Sequence, residues 1–575
     1  MKKVTSPELQ VEPFSVCDRV LPVVAILLLT WACALEFIIP ASHDELHFSH
    51  AAWLWSQGKE PYRDFLYHNT PGIIYLLGAA RLVLGDFGPE ILWWGRVLCA
   101  VSLVTVAGFA LAIGRMVHSR RAGWITVILF IPGTVIPYAD ALLFKHHFQI
   151  RPEVFALPWM TATVWLGFLA IQHPDRWATV RNGTLMSLLT AVAMFLSPRI
   201  LFMAAGLGVA LAVGLGRRIV PIVLGSLAGL VALVVLYGGL IGWENSWRWV
   251  YQYSSLLYGV NRLAALTTLR PNPAWPIIVF APLAGLVAVI WSCDRATRCL
   301  AWMVLSMYSN VLIEGKVTSA SWQGHIVVGS VLLASVGDKW FLRPSRALRV
   351  AVVLVGLAIL GLPFTDEETL QLLPTGMFTA AAWSVHIVVG FALLASVGDK
   401  WFSRPSRALR VAVIIIGLMI ISTPLSRFLR SHARVLTCWR CQLGGQVAAY
   451  QRVCAVTRGE PVMFQQKFHP IAVDDGTYLW TQRGHRELMA TMGIPEQKLD
   501  LLQDVRERLP VIIEPTELHG VARNNADHQW IDHFVAENYR ETEHGFMVRK
   551  DSFDKVAPLL EEFGVRMHLS IIRKE

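Results

Sequence analysis

A mainly α-helical, polytopic membrane protein with a small C-terminal α/β domain is the fold class this sequence predicts, on three observations. Many apolar runs approach or exceed the ~18–20 residues that a helix needs to cross a bilayer. Charged residues make up only 16% of the chain and hydrophobic ones 54%, at a mean hydropathy of +0.48, against roughly 25% charged in ordinary soluble domains. From residue 426 onward the composition turns polar, and short strand-like and helix-like patterns alternate. The 575-residue length would by itself suggest about three or four domains; the apolar runs override that division.

Taken in order, the apolar runs and their flanks predict thirteen spans, near 20–40, 92–117, 122–137, 154–172, 183–197, 199–215, 219–241, 275–292, 299–313, 318–337, 349–364, 377–397 and 410–425. The first has no small-residue cleavage site behind its apolar core, so it reads as an uncleaved span after a cytoplasmic N-terminus of residues 1–19. Positive charge gathers in alternate connections: HSRR (118–121), HPDRWATVR (173–181), GRR (216–218), CDRATR (293–298) and two GDKWF loops (337–341 and 398–402). Short loops rich in Lys and Arg stay cytoplasmic. The loops at 41–91, 138–153 and 242–274 then face outward, and with an odd span count residues 426–575 do too. Arg427, Arg430, Arg434 and Arg440, just after the last span, favour the opposite side for that end.

The net charge of +10 is spread over these short loops rather than gathered in one patch, which argues against nucleic acid as a partner. Twenty-two tryptophans suit the two membrane–water interfaces. Of eight cysteines, Cys17, Cys33, Cys99, Cys293 and Cys299 lie in or beside spans as small packing residues. Cys438, Cys441 and Cys454 are close enough in sequence to pair in an oxidising compartment. The stretch 325–357 recurs at 386–418, 61 residues on. Each copy is most of a span, a basic loop and a second span, so the repeat adds two crossings and preserves downstream orientation. In the C-terminal part EPVMFQQ, LPVIIEP, GFMVRK and VRMHLSIIRK read as strands, and RELMATM, KLDLLQDVRER and QWIDHFVAENYR as helices.

The first outward loop carries the chemistry. HDELH (43–47) would put His43 and His47 on one helical face, as in zinc proteases. Its acid, however, is the shorter Asp44, and His50 is too near for the usual third ligand. Read whole, the loop runs from DELHF through PYRDF and YHNTPGIIYLL to LG at 84–85 and Arg96 at the opening of the second span. In this order the pieces resemble the first external loop of GT-C-fold membrane glycosyltransferases, especially glycosyltransferase family 39 and the aminoarabinose transferases. The likeness is detailed over roughly residues 20–120 and architectural beyond.

That resemblance implies an enzyme of the bacterial inner membrane with its site on the periplasmic face. It would move a sugar from a polyprenyl-phosphate donor to an acceptor hydroxyl on a glycan, lipid or protein, with inversion. It assigns Asp44 as general base, within hydrogen-bond reach of the attacking oxygen, and Glu45 as its neighbour. Charged side chains near a membrane are costly and mark functional sites. On that ground Arg96, Arg151, Arg199, Lys316 and His325 are the candidates for meeting the departing phosphate, with snorkelling to the headgroups as the plain alternative. Glu153, in FQIRPEVFALP, or Asp140 would be a second acid; His47 and His68 would be helpers. Where aminoarabinose transferases carry Glu–Lys, this chain has His68–Asn69. A divalent metal, if used, would fall to Glu45 and His47; no other cofactor is implied. A transporter or flippase of a lipid-linked glycan is the alternative reading of the same charged loop.

Overall fold

The computed structural model describes residues 16–65, 67, 69–85, 88–135, 138–140, 143–145, 148–253, 275–291, 294–314, 323–342, 443–457, 460–462, 501–513, 525–543 and 546–568. The three spans expected between 349 and 425, the second copy of the repeat, His68, Lys316, Cys438 and Cys441 lie outside them. The described residues are mainly helical, and each of the other ten expected spans coincides with a helix.

Helix α1 (Val16–Ile38) is followed by α2 (His43–Ser56), the short α3 (Gly72–Gly78) and α4 (Ala80–Leu84), then α5 (Ile91–Val117) and α6 (Arg120–Val135). A hairpin of β1 (Tyr138–Asp140) and β2 (Leu143–Lys145) leads to α7 (Pro152–Gln172), and α8 (Pro174–Trp177), α9 (Val180–Leu196), α10 (Leu201–Leu215) and α11 (Val220–Val235) follow. Helices Trp275–Trp291, Arg295–Glu314 and Gln323–Leu342 complete the described membrane part. Arg19–Ile38, Ile91–Val117, Pro152–Gln172 and the stretch Pro198–Ile241 are long and apolar enough to cross a membrane. The last of these is two helices. Gly216 takes φ +55°, the left-handed backbone that glycine adopts without a Cβ clash, and so ends α10.

Apolar faces pointing outward are the expected signature of lipid contact. On α11, Val223, Leu227, Leu230 and Val231 are exposed while Gly225 and Gly229 are buried. The two glycines form the small-xxx-small spacing that lets helix backbones approach in lipid. A Cβ on Gly225 would lie 2.2 Å from the Val180 carbonyl oxygen, and one on Gly229 2.5 Å from Ser187 on α9.

Two pairs of the basic stretches meet. Ser119 and His118, after α5, contact Asp338, the latter at 3.4 Å; the loop expected at 337–341 instead continues the Gln323–Leu342 helix. Arg218 of GRR reaches Asp175 of HPDRW at 2.9 Å.

The C-terminal part is a three-stranded antiparallel sheet, in the order β3 (Ile512–Ile513), β5 (Met547–Arg549), β4 (Tyr539–Glu541). Helices Leu501–Arg508, Asn525–Asn538 and Phe553–His568 accompany it, with Val505, Ile513, Ile531, Phe534 and Tyr539 in one buried cluster. LPVIIEP and GFMVRK supply strands, as their alternation predicts. VRMHLSIIRK departs from expectation: its first four residues finish the Phe553–His568 helix. Helix Leu443–Val456 joins this part to the membrane part, packing on α1 and on Phe553–His568.

Candidate functional site

Residues 39–42 connect α1 to α2, and this connection is held from several sides. The Glu45 carboxylate accepts from the Ser42 N–H at 2.7 Å, the helix-closing half of a capping box. Its other oxygen accepts from the Ile150 N–H at 3.0 Å. Gly95 on α5 makes this approach feasible, because a Cβ there would sit 2.4 Å from Ile150 Cδ1. Arg96 donates to Glu45 at 2.9 Å and to Glu36 at 3.0 Å, and its guanidinium also reaches the Ile39 and Pro40 carbonyls, each at 3.3 Å. All three charged side chains of this triad have no exposure. Ser42 Oγ donates to Gln149 at 3.1 Å.

The structure places two of the expected site residues in the interior. Arg96 is fully buried and donates to both Glu36 and Glu45. Both Glu45 oxygens are engaged, by Ser42, Ile150 and Arg96. The His47 ring is buried and stacked on Tyr67 at 6.1 Å between centroids. Among the described residues no group of three or more His, Cys, Asp or Glu side chains converges as a metal site. The His43 side chain lies outside the described residues.

Asp44 is different. Its side chain keeps 43% exposure and pairs with Arg151, which is the N-cap residue of α7. Pro152 follows at the first helical position, where its fixed φ starts the helix without losing a hydrogen bond. Glu153 sits in the first turn of α7 and accepts from Arg199 at 2.6 Å. The R-P-E segment thus sets two acid–base pairs side by side, Asp44–Arg151 and Glu153–Arg199.

A cleft of about 330 Å³, including its open mouth, lies against the second pair; Glu153, Arg199, Gln323 and His325 supply its polar lining, with Met203 and Met307 among the apolar residues. His325 is fixed by a 3.1 Å contact of Nε2 to the Met307 carbonyl and an edge-on contact with Tyr308. Tyr67, fully buried, has a hydroxyl without a hydrogen-bond partner among the described residues. Burial, and then the charge of Glu153, hold its phenol well above the ordinary tyrosine range, so it keeps its proton. Asp140 is on β1 opposite Leu143, away from the α7 start in sequence, and its side chain lies outside the described residues.

The structure therefore brings together Asp44, Arg151, Glu153, Arg199 and His325 at one set of helix ends, and withdraws Arg96 and Glu45 into their support. Sequence reasoning missed Glu36, Gln149 and Tyr67. Glu36 had a usable signal, a lone acid inside the apolar run of the first span; the other two had none.

Fold and cleft together define a mainly helical, multi-pass membrane protein with paired carboxylates and cations at one set of helix ends. No family model matches the chain, and no curated protein matches it. Among solved structures it is similar to ArnT from Cupriavidus metallidurans bound to undecaprenyl phosphate, at 15% identity and a TM-score of 0.46, over 78% of this chain and 83% of that one. It is also similar to the Archaeoglobus fulgidus oligosaccharyltransferase in the apo form, at 9% identity and a TM-score of 0.43, over 92% of this chain and 74% of that one.

Proposed function

We propose that this protein is an inverting glycosyltransferase that takes a sugar from a polyprenyl-phosphate donor and passes it to an acceptor hydroxyl at the external membrane face. The observation that carries the reading is Asp44. It is a partly exposed acid in the first turn of α2, next to the fully buried Glu45, and beside a second acid–base pair that lines the cleft. Asp44 takes the acceptor proton as the acceptor oxygen bonds to the anomeric carbon. The bond from that carbon to the phosphate oxygen breaks, and its electron pair leaves with the lipid phosphate. Arg199 and Arg151 offset the charge on that phosphate, and His325 orients it from the far wall of the cleft. Phosphate is a good leaving group, so positioning and preorganised charge supply most of the acceleration. In this reading the C-terminal α/β domain covers the site or helps to select the acceptor.

The test is Asp44→Asn in the full chain, with envelope glycans of the expressing cells read by mass spectrometry. The glycan made with the unaltered protein should fall by about a hundredfold or more, within the range for loss of a general base. A flippase would need no proton acceptor. An undiminished glycan in the Asp44→Asn strain would refute the enzymatic reading.

A further inference from the structure

We infer that Gln446 is a positioning residue for Asp44, so that the C-terminal part of the chain helps to build the site. The inference rests on the reading of Asp44 as the proton acceptor. Gln446 lies 405 residues from Ala41 in sequence, yet its amide engages both backbone groups of that residue. The Ala41 N–H donates to Oε1 at 2.8 Å, and Nε2 donates to the Ala41 carbonyl at 3.3 Å. Both residues are buried. A side-chain amide that satisfies the N–H and C=O of one residue acts as one rung of a strand ladder. It fixes the peptide plane as well as its distance.

The place of this rung gives it significance. Ile39 and Pro40 are held through their carbonyls by Arg96, and Ser42 through its N–H by Glu45 and through its hydroxyl by Gln149. Ala41 is the remaining residue between α1 and α2, and Gln446 supplies its hold. Asp44 follows three residues later, in the first turn of α2. The clamp is itself anchored. Leu443, Val447, Tyr450 and Val453 are buried along the same helix, and Gln451 contacts Glu90 just before α5. Because that helix also packs on Phe553–His568, the orientation of the acid-bearing helix is tied to the C-terminal unit. Reacting groups must be held within about 0.5 Å, and a shift of about 1 Å can cost a hundredfold in rate.

The experiment compares unaltered protein, Gln446→Leu, Gln446→Glu and Asp44→Asn, each as the full chain. Hydrogen–deuterium exchange of the peptide covering residues 39–46 and thermal unfolding are measured in detergent; the product glycan is measured by mass spectrometry of expressing cells. Gln446→Leu should raise exchange in that peptide at least tenfold, with at most a small drop in the unfolding midpoint and no rise in exchange elsewhere in the chain, and should cut the product about tenfold to a hundredfold. Gln446→Glu keeps the acceptor for the Ala41 N–H and should recover part of both; it also carries the test if Gln446→Leu does not accumulate. Product at the unaltered level in both Gln446 variants, with Asp44→Asn inactive, would overturn the positioning role and leave the Asp44 reading intact. A product loss that merely follows a lowered midpoint and exchange raised throughout the chain would overturn it too. Full product from Asp44→Asn would overturn both inferences together.

Discussion

Asp44 and Glu45 are adjacent acids with opposite fates, and the cause is which way each faces on α2. Glu45 turns inward and completes a buried triad with Arg96 and Glu36; Asp44 turns to the solvent-reached side and Arg151. Removing one partner of a buried ion pair leaves an uncompensated charge, at a cost of about 3–5 kcal/mol. Arg96→Met should therefore lower the thermal midpoint sharply, while Arg96→Met combined with Glu36→Gln and Glu45→Gln should recover part of the loss in the same unfolding assay. His50 makes a second residue-scale prediction. Burial, and then the positive charge of Lys59, lower its pKa to about 3, against about 6.5 in an unfolded chain. The folded state holds it neutral, so its share of stability is complete above about pH 6.5 and is lost as pH falls from there toward 3. His50→Phe should flatten that acid limb in unfolding measured across this range. Asp44 of DELHF was legible through the resemblance of its whole loop to a known family, and Arg151 because charged side chains are costly near lipid. The Arg96–Glu36 contact was not legible: a cation at a span start looks alike whether it faces phosphate or a carboxylate buried 60 residues earlier in the chain.

Among the elements, α9 and α11 show how a helix pair forms between lipid-exposed faces. Gly225 and Gly229 leave no side chain at the contact, and Ser187 Oγ accepts from the Gly229 N–H at 3.1 Å. Gly225→Val should force α9 and α11 apart, at about 1–3 kcal/mol for overpacking, seen as a lower unfolding midpoint. Gly239, with nothing near its Cβ position, provides the control, since Gly239→Ala meets no neighbour. Helix positions were readable from apolar runs, and so was the break at GRR, where two arginines follow Gly214 and Gly216. Which helices pair was not readable, because in lipid every helix presents similar apolar residues and small residues choose the partner. The end of the chain shows the limit of alternation: VRMH reads as a strand, yet it continues a helix whose Val556, Ala557 and Leu560 are already buried.

At the scale of the whole molecule, the C-terminal end of α1, the N-terminal ends of α5 and α7 and the residues following α9 converge on one site. Elsewhere two pairs of the basic stretches meet, His118 beside Asp338 and Arg218 beside Asp175. The hold of Gln446 on Ala41 was not legible in the sequence, since nothing local marks two residues that meet only after the chain has folded. On the proposed reading, Asp44 removes the acceptor proton at a site that binds the lipid phosphate independently of it. The unaltered and Asp44→Asn full chains are placed in vesicles made from the membrane lipids of the expressing cells, which carry the polyprenyl-phosphate sugar donor and its acceptor, and both binding of added undecaprenyl phosphate and sugar transfer are followed. Lipid binding within about threefold of the unaltered protein, with transfer lowered about a hundredfold or more, is the predicted result. Transfer at the unaltered rate would contradict it.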